Sequence, residues 1–219
     1  MFKVFIGVGH GGSDPGAVGL LTEKNVNLVQ AMACRDFLIQ NGVNVLISRL
    51  NDSNCDINQR IKMCNDFKPD LAIDIHNNAG GGDGAEFYYH HGGGDSKTLA
   101  ENLESEILKI GQNSRGIKTK LNSNNSDYFA FIRETIAPAV IAEGCFVDNV
   151  TDVQICDTVA EQQEFGKAYA RAILKTLGAS YAAKFYRVQV GAYNYEQNAI
   201  NLKKELKEKG YSDSFIVYS

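Results

Sequence analysis

Residues 4–19 read VFIGVGHGGSDPGAVG. The apolar run Val4–Val8 stops abruptly at Gly9-His10-Gly11-Gly12. A short apolar run bounded by glycines predicts a buried strand. It sets His10 at the strand's end, on a glycine-rich loop where a ligand can come close to the backbone. Asp14-Pro15-Gly16 predicts a turn. One histidine after a strand is weak evidence of chemistry, since such a residue is more often an ordinary loop or core histidine. A second strand that ends in the same way, at His76, adds weight.

Outward from this stretch, strand and helix patterns alternate. Thr22–Gln40 predicts a helix, with Thr22 as N-cap and Val29, Met32, Ala33 and Phe37 at three- and four-residue spacings. Gly42 stops it. Val43–Leu50 predicts a second strand, Asn51–Asn54 a loop, and Ile57–Phe67 a helix closed by Pro69. Leu71–His76 is a third strand, Asn77–Gly84 a loop, and Ala85–Tyr89 a fourth strand before a turn at Gly92-Gly93-Gly94. Ser96–Gln112 predicts a helix with Leu99, Leu103, Ile107 and Ile110 on one side. Asn113–Ser126 is polar and predicts a long surface loop. Ala137–Ala142 is a fifth strand running into Glu143-Gly144, and Val159–Leu177 closes the domain as a helix. The expected fold is α/β: a three-layer sandwich with a mostly parallel (mixed) central sheet and helices on both faces.

This domain is expected over residues 1–177, followed by a linker at 178–184 (GASYAAK) and a small β-α-β unit at 185–219. The unit comprises a strand Phe185–Val190, a helix Glu196–Lys209 stopped by Gly210, and a strand Phe215–Tyr218. It is too small to build a sufficient core alone, which predicts packing on something else, most simply a second copy of itself.

Composition narrows the classes. The 219 residues are 44% hydrophobic and 22% charged, ordinary values for a chain with a real core. A net charge of -4 without a run of Lys or Arg argues against a nucleic-acid partner. No stretch approaches the roughly 20 apolar residues of a membrane span. No basic start leads into a long apolar stretch, so synthesis in the cytoplasm without a signal peptide is expected. The odd count of five cysteines, with no C-x-x-C pair, predicts free thiols in a reducing compartment.

Three strands thus end in a residue able to bind a metal or move a proton: His10, His76 and Glu143. Ligands of open α/β sheets bind at the carboxyl ends of strands. Glu23 opens the helix after the His10 loop, which aims its carboxylate over the same edge. Two histidines and a carboxylate make a three-ligand set for catalytic zinc, and the remaining glutamate can accept a proton from water. Each residue also has an ordinary explanation. Glu23 in a first helical turn favours the helix dipole, and His76 could be a loop residue. Glu143 after six apolar residues needs a partner or a role. Asp74 faces the same side as His76 and could support it from behind. His90-His91, read as neighbours on a strand, point to opposite faces and predict a rim or surface position. The residue pattern alone leaves these explanations open.

Taken together, the motifs resemble the zinc-dependent N-acetylmuramoyl-L-alanine amidases of the amidase-3 type, a family of cell-wall hydrolases. The matching pieces are Gly9–Ala17, Glu23 with Asn27-Leu28, Arg60, Asn65, Asp74–Ala79, Gly84-Ala85-Glu86, and Pro138–Gly144 with Phe146 and Asn149. They run in order over Phe2 to about Leu177. The resemblance implies that His10, Glu23 and His76 bind one zinc ion and that Glu143 is the catalytic glutamate. It implies hydrolysis of the amide between N-acetylmuramic acid and the L-alanine of the stem peptide. Cys145 within Gly144-Cys145-Phe146 departs from the family pattern and is expected to bear on packing. The tail, Tyr186–Tyr211, looks like half of a SPOR peptidoglycan-binding domain, which normally has two β-α-β halves. This implies peptidoglycan as partner and a homodimer in which two chains combine their tails. An enzyme of this kind acts on the cell wall after release by another route, as a phage lysin or a mother-cell, sporulation autolysin. Two alternatives stay open: a non-catalytic peptidoglycan-binding module, whose mark would be a missing ligand, and a zinc peptidase cutting within the stem peptide.

Overall fold

The apolar runs become the strands of one six-stranded sheet. In the computed structural model, which describes residues 1–180, 190–211 and 214–216, these are β1 (Lys3–Val8), β2 (Asn44–Ile47), β3 (Leu71–Asn78), β4 (Ala85–Tyr89), β5 (Ser114–Lys118) and β6 (Ala139–Phe146). Their order is β2-β1-β3-β6-β4-β5. The first four are parallel, β4 runs antiparallel to β6, and β5 is parallel to β4. The beginning of β4 therefore lies beside the far end of β6, where Glu86 pairs with Glu143.

Side chains alternate across the sheet. Val4, Ile6, Val8, Ile73, Ile75, Val140 and Ala142 share a core with α1 (Glu23–Gln40), α3 (Asp95–Leu108) and α6 (Val159–Thr176). Phe5, Ala72, Ala139 and Ile141 share one with α2 (Ile57–Phe67) and α4 (Ala130–Glu134). The central strands are buried on both sides, which is why they read as continuous apolar runs. On the α2/α4 side, period-two alternation continues Ala72 into Asp74 and His76, and Ile141 into Glu143. The polar site residues are thus the last rungs of a face whose first rungs are core. Capping boxes start α2 (Asp56 with Gln59) and α6 (Thr158 with Glu161).

The structure corrects several expectations. The buried face of α1 is Val26, Asn27, Gln30, Ala31, Cys34 and Leu38. The stripe Val29, Met32, Ala33 and Phe37 is only half-buried and borders a surface groove reached also by Leu50 and Val159. Polar residues on the inner face support the site and mask its periodicity. The segment Asn113–Ser126 is not all loop, because it contains β5. This strand is polar because it sits at the sheet's edge, bonded only to β4. β3 and β6 run past the expected ends, so His76 and Glu143 lie inside strands rather than at or just after their ends. Helix α3 ends at Leu108 instead of Gln112. The short helices α4 and α5 (Val150–Val153) are too brief to show a period.

The chain divides into two compact units, Met1–Tyr181 and Ala182–Ser219. In the second, α7 (Glu196–Glu208) forms with no buried side chain. The strand expected at Phe185–Val190 lies, apart from Val190, outside the described residues. Of the one expected at Phe215–Tyr218, only Phe215 and Ile216 are described, and neither is in a strand. All five cysteines are free thiols, four of them buried. Among the described residues no helix is long and apolar enough to cross a membrane.

Candidate metal centre

The loop after β1 is shaped by a buried cation. The Arg49 guanidinium donates to the carbonyls of Gly9 (3.1 Å), Lys24 (2.8 Å) and Asn51 (3.1 Å). Asn27 donates to the Gly9 carbonyl as well, at 3.0 Å. So held, His10 takes a left-handed backbone (φ 59), uncommon without glycine but less so for histidine. Gly9 is needed for space: a Cβ there would lie 2.3 Å from the His76 ring. Glu23 opens α1, and its carboxylate accepts from the backbone N–H of Ala17 (2.8 Å) and of Asn77 (3.2 Å). Below, Asn77 donates to Asn27 (2.7 Å) and Gln30 (3.1 Å), tying α1 to β3.

The structure brings His10, Glu23 and His76 together, with one ligand atom from each lying within 4.8 Å of the others. His10 Nε2 is 3.2 Å from Glu23 Oε2, and His76 Nδ1 is 3.0 Å from Glu23 Oε1. The two rings meet edge to face at 85°. Their other nitrogens point away to carboxylates: His10 Nδ1 to Asp14 Oδ2 at 2.8 Å, and His76 Nε2 to Asp74 Oδ2 at 3.3 Å. Asp74 is itself paired with the buried Arg60 at 3.3 Å. A ring that donates its outer N–H to a carboxylate keeps the lone pair of its inner nitrogen for a metal, and this is how ligating histidines are commonly oriented. Two imidazole nitrogens and a carboxylate suit zinc, with a fourth position left over. The residues present therefore fit the ion.

Electrostatics agree with a place for a cation. Without metal, the hydrogen bond to Glu23 holds the His10 imidazole above its ordinary value, against the effect of burial. His76 is pushed down by burial but more strongly up by Asp74 and Glu23, to about 10. Burial would raise Glu23, yet the two histidines hold it well below the usual carboxylate range. Three carboxylates around two rings leave negative charge that protons neutralise when a metal does not.

Glu143 pairs in register with His76 on one side and Glu86 on the other, so all three face one way. Burial, with Glu23, Glu86 and Asp74 nearby, pushes its carboxyl up to about 7, against the pull of His76. A carboxyl so placed can take and return a proton near neutrality. Glu86 is buried and neutralised by Arg115 Nε (2.5 Å) and Lys118 Nζ (2.6 Å), and it accepts from Tyr88 Oη at 2.8 Å.

His90 and His91 are exposed, as expected of a rim position, but their side chains do not diverge. They follow β4 rather than lying on it, their rings stack at 28°, and both reach the buried Asp127, at 3.3 and 3.0 Å. The rule of opposite faces did not apply because the strand ends at Tyr89. Sequence reasoning also missed three groups. Asp14 has a turn and a place in the Gly9–Ala17 match but no role in the sequence reading, though its spacing of four from His10 is a usable signal. Arg49 and the Arg115–Lys118 pair gave none.

Two segments of the chain match known families. Residues 4–175 match the family model described as N-acetylmuramoyl-L-alanine amidase, and residues 182–219 match the SPOR domain. The chain is 36% identical to N-acetylmuramoyl-L-alanine amidase CwlM of Bacillus licheniformis, over 100% of this chain and 85% of that protein. It is 34% identical to the sporulation-specific N-acetylmuramoyl-L-alanine amidase of Bacillus subtilis (strain 168), over 99% and 85%. Its fold is similar to the catalytic domain of CwlV, an N-acetylmuramoyl-L-alanine amidase from Bacillus (Paenibacillus) polymyxa var. colistinus. That match has a TM-score of 0.74 at 29% identity and covers 82% of this chain and 100% of that one.

Proposed function

The chain belongs to the N-acetylmuramoyl-L-alanine amidase family of peptidoglycan hydrolases, and on that premise we propose that His10, Glu23 and His76 hold one zinc ion and that Glu143 moves the proton. The observation that carries this reading is the paired orientation of the two imidazoles, each turned outward to an aspartate and inward to Glu23.

Zinc in such a site supplies Lewis acidity, which brings the pKa of water down toward about 7 and polarises an amide carbonyl. The chain's own residues do the rest. Asp14 and Asp74 fix the rings, so the ligands need no reorganisation. Glu143, held on the same face as His76 by strand register, takes a proton from the attacking water and returns it to the L-alanine nitrogen as the amide breaks. In the metal-free chain burial raises its carboxyl above the ordinary value, which suits a group that must both take and return a proton. Metal analysis with lysis of purified cell wall tests the assignment: one zinc ion per chain is expected, with wall cleavage that Glu143→Gln slows about 10²- to 10⁴-fold. Mass analysis of the digest separates amidase from peptidase, since the amidase leaves intact peptides with N-terminal L-alanine.

Similarity over nearly the whole chain to a sporulation-specific amidase favours a sporulation autolysin over a phage lysin, acting on the wall after release from the cell that makes it. The SPOR match covers 38 residues, 182 to 219. We assign it wall binding through pairing with a second copy, which sedimentation of the full chain tests: a monomer at working concentration ends that part of the reading.

A further inference from the structure

The site row does not stop at Glu143. Across the sheet, His76 on β3 pairs with Glu143 on β6, and Glu143 pairs with Glu86 on β4. The next strand, β5, has an irregularity at this level. Ala85 pairs with Ser114, but Phe87 pairs with Ile117, so β5 carries one extra residue opposite Glu86. Gly116, at φ 92, takes the left-handed turn that such a bulge needs. Arg115 and Lys118 are three apart and would face opposite sides of a regular strand. The bulge brings both to the face of Glu86, where each donates to the same oxygen, Oε1.

This arrangement leaves donors unused. Among the described residues Glu86 is the only carboxylate bonded to either cation, a single acceptor shared by two positive groups. Asp83, on the loop before β4, adds its field at Arg115 without a bond to it and is itself bonded by Asn113. Arg115 spends only Nε on Glu86, and its terminal amino groups have no partner among the described residues. Its guanidinium also lies over the Phe146 ring, 5.3 Å from the centroid, which fixes its plane. Arg115 and Lys118 are 43% and 32% exposed, whereas Glu86 is 5% exposed. The acid is sunk as an anchor, and the cations face solvent.

We propose that Arg115 and Lys118 form a subsite for a carboxylate on the peptide side of the amide that is cut. The direction rests on the role given to Glu143. If Glu143 protonates the leaving L-alanine nitrogen, the peptide departs from the metal past Glu143, toward β4 and β5. Two strand spacings from β6 to β5 make about 10 Å, and an extended peptide advances about 3.3 Å per residue. The carboxylate therefore belongs to the second or third residue of the stem peptide. A fork with two free amino groups beside a lysine suits that planar anion.

The test uses the zinc-loaded full chain and pairs of soluble N-acetylmuramoyl peptides. Each pair carries either a free carboxylate or its carboxamide, at the second residue in one pair and at the third in the other. The wild type is expected to prefer one of the free acids by about tenfold or more in kcat/KM, carried by KM, as a charge-assisted hydrogen bond implies. Arg115→Gln, which leaves Lys118 and Tyr88 on Glu86, narrows the preference to about twofold or less, and Arg115→Lys recovers part of it. Equal cleavage of acid and amide in both pairs by the wild type overturns the subsite, as does an Arg115→Gln chain that keeps the full preference. A Glu143→Gln chain that cleaves at the wild-type rate overturns the catalytic assignment instead, so the two failures are distinct.

Discussion

Two clusters of this molecule contain the same ingredients, and only one is built for a metal. His10, Glu23 and His76 form the first, and His90, His91 and Asp127 the second; in both, ligand atoms lie within 4.8 Å of one another. The difference is in the rings. A nitrogen lone pair lies in the plane of its imidazole, so two rings share an ion only if their planes can converge on it. His10 and His76 meet at 85°, whereas His90 and His91 are stacked at 28°. The other nitrogens differ too. In the first cluster they donate outward to Asp14 and Asp74. In the second, His90 Nδ1 accepts from the backbone N–H of Gly92 at 2.9 Å, so its proton sits on Nε2, facing Asp127. Both stacked rings therefore donate to one carboxylate. They clasp the turn after β4 to Asp127, and their lone pairs are spent or turned away. Proximity and residue type do not make a metal site; the partner behind each ring does.

The comparison breaks most directly by deleting one ring from each cluster. His10→Ala is expected to lower zinc from one ion per chain to below about a tenth and to abolish wall lysis, because a catalytic set of three protein ligands has none to spare. His91→Ala is expected to keep zinc and lysis. Metal analysis of the two purified variants decides it, and a zinc loss in His91→Ala would put an ion where the stacked rings exclude one. Glu143→Gln sharpens the first cluster from within. It should retain the ion yet lose about 10²- to 10⁴-fold in cleavage rate, the usual contribution of a positioned proton carrier. Loss of zinc in that variant would make Glu143 a ligand.

Why one cluster was legible in the sequence and the other was not follows from the same geometry. His10, His76 and Glu143 each end an apolar run, and strand ends in an α/β sheet meet at one edge. Glu23 follows the first loop closely enough to join them. That pattern needs only element order, which the apolar runs supply. The stacking of His90 on His91 depends on where β4 stops, and a strand boundary is uncertain by a residue or two in any sequence reading. A single residue decides whether adjacent side chains diverge or stack. β5 escaped notice for a different reason. An edge strand bonded to a single neighbour can be polar, and SRGIK with a bulge at Gly116 has neither alternation nor an apolar run. The cations of β5, and Arg49 on the loop after β2, act through contacts with distant carbonyls and carboxylates that no local pattern records. On α1 the polar residues Asn27 and Gln30 face inward because the site needs them, so the visible apolar stripe was the wrong face.

The partner groups give the next, smaller effect. Asp74→Asn keeps size and hydrogen bonding but removes the charge that orients His76, and it leaves Arg60 buried beside a neutral group. Zinc affinity should weaken about 10- to 100-fold, the usual consequence of losing a carboxylate behind a ligating histidine. Competition with a chelator measures it. Asp127→Asn should leave zinc affinity unchanged and cost about 1–3 kcal/mol of stability, the penalty for impairing a buried acceptor, read by denaturant unfolding. If both variants affect zinc equally, the partner behind the ring is not what separates the clusters.

The smallest effect is a slope. In the metal-free chain His10 is raised above its ordinary 6.5 and His76 reaches about 10. A histidine whose folded value lies above the unfolded one adds stability that is complete below pH 6.5 and is lost as pH climbs through the folded value. Glu23 works in the other sense: its depressed carboxyl adds stability present above its ordinary 4.5 and lost as pH falls. The protonated cluster therefore supports the metal-free fold best between about pH 4.5 and 6.5, and less at each step toward about 10. Zinc takes the place of those protons, and its affinity rises as they leave. The melting temperature of chelator-treated protein should fall between pH 6.5 and 10, while the increment from added zinc widens over the same range. His76→Asn should flatten the metal-free decline and shrink the zinc increment together, because one ring carries both. A zinc increment that is constant across this range would mean the ion binds where no proton is displaced, away from the perpendicular pair of imidazoles.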